Sequence, residues 1–221
     1  MPEAAVARPF IFVLAGVNGA GKSSVGGAML AEHGLTWFNP DSFARELTAQ
    51  LGLQVEEANA RAWAHGRSQL EAAITNATNY AFETTLGART IPALLAKAAA
   101  THDVVMLFCG LRCPDLHIQR VRSRVASGGH DIPEDKIRER WVASRVNLVR
   151  LMPQLARVQV FDNSTEADPG QDIPDPVLVL EMVKGRLSFP VPDDPGVLET
   201  IPEWARPIVQ AAIEWQAGSA A

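Results

Sequence analysis

Phe10-Ile11-Phe12-Val13-Leu14-Ala15 runs directly into Gly16-Val17-Asn18-Gly19-Ala20-Gly21-Lys22-Ser23-Ser24. An apolar run of strand length thus meets a complete G-x-x-x-x-G-K-[ST] loop. The chemistry of phosphate binding explains the spacing. Small residues let the backbone curl so that its N–H groups point inward around a polyphosphate. Lys22 is placed to reach the β- and γ-phosphates, and the Ser23 hydroxyl to ligate Mg²⁺. The helix that starts here adds its positive N-terminal end. A bare Gly-rich turn has no reason to sit directly after a buried-type strand. Residues 16–24 are therefore expected to bind a nucleoside triphosphate with Mg²⁺.

The remaining 221-residue composition narrows the field. Hydrophobic residues make up 47% and charged residues 20%, as in an ordinary globular protein, and the length suits one α/β domain with additions. A net charge of −5 argues against a nucleic-acid partner, which needs a clustered basic surface. No apolar stretch reaches bilayer-spanning length, so no membrane association is expected. The residues before Phe10 lack the pattern of a secretory signal. Cys109 and Cys113 are too few for a disulfide scaffold and lack zinc-site spacing. A cytoplasmic protein is expected.

Strand candidates alternate with helical stretches, which implies βαβ units and a mostly parallel sheet. Five strands are expected, at 10–15, 35–38, 80–82, 104–109 and 158–161. The helices between them are expected at 23–33 (ending at Gly34), 42–51, 56–76 and 91–100. Two more open at Pro114 and Pro133, the first running to Gly128-Gly129. Along 56–76, Ala58, Ala62, Trp63, Leu70 and Ile74 are the candidate core positions. The fold class is α/β: a three-layer P-loop sandwich with a five-stranded, mostly parallel sheet and a helical lid. Residues 1–165 form that domain. From Glu166 the composition shifts toward Pro, Asp and Gly, and residues 166–221 read as an appendage packed on the same domain. It would carry a hairpin over 177–189, turning at Lys184-Gly185, and a helix over 203–215.

Other residues decide which P-loop chemistry this is. A GTPase should offer N-K-x-D, which is absent; Asp193-Asp194-Pro195-Gly196 fits D-x-x-G only formally, far downstream. Motor ATPases end a long apolar strand on an acid, whereas 104–109 runs into Gly110-Leu111. Acids instead end the second and third strands, as Asp41 and Glu83. Ligands of an open parallel sheet sit at those strand ends. This is the layout of a small-molecule kinase, with Asp41 accepting the proton of a substrate alcohol while Lys22 and Mg²⁺ neutralise the transferring group. The plainer role for Asp41 is a helix N-cap beside Ser42. Glu83 is either a ligand of a Mg²⁺-bound water or an acceptor of a substrate hydroxyl, and Thr84 and Thr85 would donate to the same ligand.

Arginines then cluster. Arg120, Arg122 and Arg124 share one helix, and Arg120 and Arg124 share its face at i, i+4, where like charges repel unless an anion lies nearby. After Gly128-Gly129-His130 the next helix brings Arg138, Arg140 and Arg145. Residues 120–140 read as a lid whose closure excludes water and brings guanidinium groups to the developing charge. Arg124 and Arg138 are expected to act on the transferring group.

With these residues in hand, the chain resembles the zeta-toxin family of P-loop kinases. The matching pieces are residues 16–23, Phe38-Asn39-Pro40-Asp41, Phe82-Glu83-Thr84-Thr85, the arginines at 120–124, Gly128-Gly129-His130-Asp131-Ile132-Pro133 and Phe161-Asp162-Asn163-Ser164, in family order over about residues 10–165. The resemblance implies ATP and Mg²⁺, with the aspartate after strand two acting on the acceptor hydroxyl. The characterised toxins phosphorylate UDP-N-acetylglucosamine and are held off by a small antitoxin, so a nucleotide-sugar acceptor and an antitoxin partner are implied too. Arg120 and Arg124 are also similar to the paired lid-start arginines of adenylate kinases, the first packing on adenine and the second reaching phosphate. Asn163 and Ser164 would face the adenine. The competing expectation is a nucleotide-binding module with vestigial turnover, acting through protein contacts.

Overall fold

The computed structural model describes residues 7–32, 36–166, 174–191 and 195–219. β1 (Phe10–Ala15) lies between β2 (Tyr80–Thr84) and β3 (Asp103–Gly110), parallel to both, and β4 (Arg157–Asp162) continues the parallel set beyond β3. The register aligns the carboxyl ends: Leu14 lies opposite Glu83 and Leu107, and Ala15 opposite Thr84 and Phe108. The loop after β1 therefore emerges beside the last residues of β2. The near-continuous apolar reading of β3 follows from helices covering both faces of a parallel sheet.

The helices are α1 (Lys22–Glu32), α2 (Pro40–Leu51), α3 (Val55–Asn76), α4 (Thr90–Ala98), α5 (Pro114–Ala126) and α6 (Glu134–Leu151). Residues 33–34, expected to end the first helix, lie outside the described residues, as do Leu35 and Asp193-Asp194. α3 buries Ala58, Ala62, Gly66, Leu70 and Ala73, whereas Trp63, expected in the core, is 46% exposed. Small residues on that stripe let α2 and the Phe38 ring pack close, and the indole is left facing outward.

Over the described residues 36–38 the expected strand is reduced to a single bridge. Phe38 alone makes a parallel bridge to Phe82, its N–H donating to the Ala81 carbonyl at 2.8 Å and its carbonyl accepting from Glu83 N at 2.9 Å. The cause is local: Asn39 caps α2 and Pro40 opens it, so the chain turns away after one bridged residue. Asp41 consequently lies in the first turn of a helix, not at a strand tip.

Among the described residues the sheet nevertheless has six strands, in the order β2-β1-β3-β4-β5-β6. β5 (Val177–Val183) and β6 (Arg186–Phe189) are the hairpin read from the sequence, added antiparallel to β4. Lys184 and Gly185 both take positive φ, 50° and 72°, as a two-residue hairpin turn requires. α7 (Pro195–Thr200) and α8 (Arg206–Ser219) complete the chain, α8 resting on α6 and the hairpin. Val179, Met182, Ile208 and Val209 belong to the same apolar cluster as Val104, Met106 and Val158. Trp204, buried between them, donates its indole N–H to Asp162 Oδ1 at 3.1 Å. No helix among the described residues is long and apolar enough to cross a membrane.

If residues 174–219 complete this core, Trp204→Ala should lower unfolding free energy by about 3–5 kcal/mol. Trp204→Phe, which keeps a ring but drops the hydrogen bond, should cost closer to about 1–2 kcal/mol. Urea denaturation of the full chain decides it; unchanged midpoints would make the C-terminal elements a passive attachment.

Candidate active site

The loop between β1 and α1 is shaped by what lies behind it. Gly16 has φ +138°, and a Cβ there would sit 2.3 Å from the Cys109 carbonyl oxygen, so only glycine lets the loop leave β1 this close to β3. Gly16 N–H donates to Thr84 O at 3.2 Å, tying the loop to β2. Three side chains from other elements fix its backbone. His117 of α5 bonds through Nδ1 to Asn18 O at 2.9 Å. Asn163, after β4, donates from Nδ2 to Ala20 O at 2.9 Å. Arg140 of α6 donates from Nη1 to Asn18 Oδ1 at 2.8 Å.

A carbonyl can only accept, so His117 carries its proton on Nδ1, and its buried Nε2 has no hydrogen-bond partner. Burial, with Lys22 and Arg120 nearby, pushes the imidazole down to about 4, leaving it neutral at ordinary pH.

Glu83 closes the front of the loop. Its Oε1 accepts from the Ser23 hydroxyl at 2.8 Å, Trp37 Nε1 at 2.9 Å and Asn39 Nδ2 at 3.1 Å. Asn39 also uses its Oδ1 to cap α2, accepting from Ser42 N at 3.0 Å. The helix-capping role considered for Asp41 is thus taken by Asn39. Asp41, second residue of α2, is free to meet Arg124, whose Nη1 lies 3.4 Å from Asp41 Oδ2. Arg124 also donates from Nη2 to His130 O at 3.2 Å.

Asn39, Asp41 and Glu83 face a cleft of about 320 Å³ bounded by the loop, the end of β2, α3 and residues 130–133, and Arg124 stands at its edge through Asp41. Lys22, Asp41, Glu83, Thr84 and Thr85 line it together, with Lys136 and Arg140 opposite and Trp63 and Arg67 at the α3 end. Thr84 Oγ1 accepts from Leu86 N at 3.0 Å and Thr85 Oγ1 from Gly87 N at 3.4 Å, so each hydroxyl keeps its hydrogen to donate.

The lid arginines separate. Arg120 reaches Thr165 O at 3.2 Å, beside the segment after β4, and burial lowers its pKa. Arg122 pairs with Glu134 on the outside. Arg138, expected at the transferring group, instead pairs with Asp115 at 2.6 Å and does not line the cleft. Arg140 does, because two residues on an α-helix turn about 200°. Arg145 lies 3.4 Å over the Trp141 ring and bonds Trp204 O, a packing role. Asn163 and Ser164 do not present free side chains: Asn163 braces the loop, and Ser164 bonds Asp162 and accepts from Arg112 N.

Sequence reading passed over Asn39, Trp37 and the particular role of Arg140. Asn39-Pro40 carried a usable signal, an N-cap residue before a first-turn proline. Nothing local marks Trp37.

The profile described as AAA domain matches residues 11–148, well over half of the chain. The chain belongs to this AAA domain family. No curated protein matches its sequence. In fold the chain is similar to three solved structures. A crystal structure of AvrRxo1-ORF1:-ORF2 with ATP aligns at TM-score 0.60 and 19% identity, over 90% of this chain and 65% of that one. The AvrRxo1-ORF1:AvrRxo1-ORF2 structure with sulphate ions aligns at 0.59 and 16%, over 96% and 80%. The PezAT chromosomal toxin-antitoxin system of Streptococcus pneumoniae aligns at 0.50 and 13%, over 98% and 88%. At these identities the likeness is one of fold, and this chain spans just under two thirds of the first of these.

His117 gives a pH-dependent test. Its folded pKa lies below the unfolded value near 6.5, so between the two the unfolded chain binds more protons. Its contribution is intact above pH 6.5 and fades as pH falls toward 4, by at most about 3 kcal/mol. His117→Asn keeps a donor near Nδ1 and cannot titrate. Melting temperature against pH should fall more steeply over this window for the wild type than for the variant; parallel curves would show that His117 is not charged on unfolding.

Proposed function

We propose that the chain is an ATP-dependent kinase that transfers the γ-phosphate of ATP to a hydroxyl of a small acceptor. One observation carries the reading: Asp41, released from capping by Asn39, faces the same cleft as Lys22. A binding module has no use for a carboxylate at that point.

The loop amides and Lys22 hold the triphosphate, with Arg120 beside the base. The Ser23 hydroxyl and Glu83 Oε1, 2.8 Å apart, are hard oxygen donors of the kind Mg²⁺ takes. Ser23 would ligate the ion directly and Glu83 through a water. Held there, the ion would supply positive charge to offset the charge that develops on the transferring group. Asp41 takes the proton of the acceptor hydroxyl as its oxygen attacks the γ-phosphorus. Thr84 and Thr85 donate to acceptor oxygens and so orient it. Arg124 turns from Asp41 to the transferring phosphoryl group, and Arg140, already bonded to the loop at Asn18, stands on its other side. Arg138 is not assigned a part.

The resemblance to zeta toxins makes a UDP-N-acetyl sugar the first acceptor to try and a small antitoxin the first partner to seek. The binding-module reading draws on one observation, the Arg124–Asp41 pair, which occupies the base in this state.

Both are tested by γ-phosphate transfer from ATP to a panel of hydroxyl acceptors headed by UDP-N-acetylglucosamine. Lys22→Ala should abolish transfer and weaken ATP binding strongly. Asp41→Asn, nearly isosteric, should keep ATP binding and lower transfer by about 10²-fold or more. Wild-type transfer by Asp41→Asn would remove Asp41 as the base.

The lid makes a separate prediction. Arg124→Ala should lower kcat more than it raises KM for ATP, since its charge matters most as the phosphoryl group moves. Amide exchange across 120–133 should slow when an ATP analogue binds. Equal exchange with and without the analogue, with normal kinetics, would leave Arg124 a surface cation.

A further inference from the structure

Leu86 is buried at 1% exposure, yet its φ is +55°. A bulky side chain rarely holds this left-handed conformation unless its surroundings impose it. It sits in the connection from β2 to α4, two residues after Thr84. The hydrogen-bond pattern shows what imposes it. On the inner side, the hydroxyl oxygens of Thr84 and Thr85 accept from Leu86 N and Gly87 N. On the outer side, Asn147 of α6 donates both hydrogens of its amide, to Leu86 O at 2.8 Å and Ala88 O at 3.1 Å. Asn147 is itself 9% exposed. Between these carbonyls lies Gly87, where a Cβ would be 2.7 Å from Cγ of Arg140.

Arg140 and Asn147 are seven residues apart, two turns along one face of α6. One bonds the phosphate loop through Asn18, and the other holds the connection that carries Thr84 and Thr85. We propose that Asn147 is a positioning residue for phosphoryl transfer. By fixing Leu86 in its left-handed turn, it sets the directions of the Thr84 and Thr85 hydroxyls and the stem of Arg140. This rests on the reading of the cleft as the acceptor site. The residue type matters, because an amide offers two N–H groups in one plane to two carbonyls. A carboxylate turns lone pairs toward them, and an aliphatic side chain leaves both unpaired in a buried place. α6 is accordingly a strut between the two halves of the site, and lid movement is confined to the end of α5 and residues 127–133.

The test uses the full chain with Asn147→Ala, Asn147→Asp and Gly87→Ala. ATP turnover, affinity for adenylyl imidodiphosphate and site-resolved amide exchange are measured on each. For the Asn147 variants, turnover should fall at least tenfold with analogue affinity unchanged within twofold, and exchange at 84–89 should quicken while β1 and β3 stay protected. Gly87→Ala, which leaves the amide in place and pushes on Arg140, should also lower turnover and quicken exchange at 84–89, so the idea stays testable if the Asn147 variants do not fold. Unchanged exchange at 84–89 overturns the proposal. So does affinity falling in step with turnover, which would make Asn147 a general prop of the fold. A wild-type protein that transfers no phosphate would overturn the kinase reading and the transfer role with it, while exchange at 84–89 would separately decide whether Asn147 holds the Leu86 turn.

Discussion

A single buried carboxylate oxygen joins the parts of this site. Glu83 Oε1 accepts from Ser23, Trp37 and Asn39, which belong to α1, the residues just before α2 and the cap of α2. A carboxylate held at 7% exposure is costly unless its lone pairs are matched by donors. Each donor therefore keeps its own segment in place by satisfying Glu83. Together with the Phe38 bridge to β2, this convergence ties the start of α2, and Asp41 on it, to the phosphate loop that carries Lys22. The register makes it possible, since Glu83 sits level with the last residues of β1.

The phosphate loop is held with similar economy. Its outward carbonyls and the Asn18 amide are matched from behind by His117, Asn163 and Arg140, so its inward N–H groups are left for anions. A neutral His117 suits this place better than a cation would, because Lys22 already brings positive charge close by. Low burial cost and the absence of repulsion point the same way.

What could be read from the sequence followed local signals. The phosphate loop, the apolar β3, the Lys184-Gly185 hairpin and the helices opened by Pro114 and Pro133 all carry their instructions in adjacent residues. The apolar composition at 35–38 is genuine and predicts a strand, but capping by Asn39-Pro40 diverts the chain after one bridge. Arg138 and Arg140 differ only in helix phase, which boundaries uncertain by a residue or two cannot resolve. Asn147 gave no signal at all. A polar residue amid an amphipathic helix looks like any solvated position until the left-handed Leu86 turn is placed beside it.

The pairing of Arg124 with Asp41 sets an order on the proposed reaction. The two groups lie 3.4 Å apart with side chains 38% and 42% exposed, and such a pair contributes only about 0–1 kcal/mol. A charge-assisted hydrogen bond to phosphate contributes more, about 1.5–3 kcal/mol, and a triphosphate offers several. In the proposed reaction, nucleotide would therefore draw Arg124 off Asp41 more readily than a neutral acceptor hydroxyl. With Arg124 on Asp41, the carboxylate is engaged and the arginine is away from the phosphate loop, so neither of the two groups proposed for catalysis would be set to act on water. Once ATP takes the arginine, the carboxylate is free to receive an alcohol. The same weak bridge thus favours ATP binding before the acceptor, and its modest strength is what allows it to break.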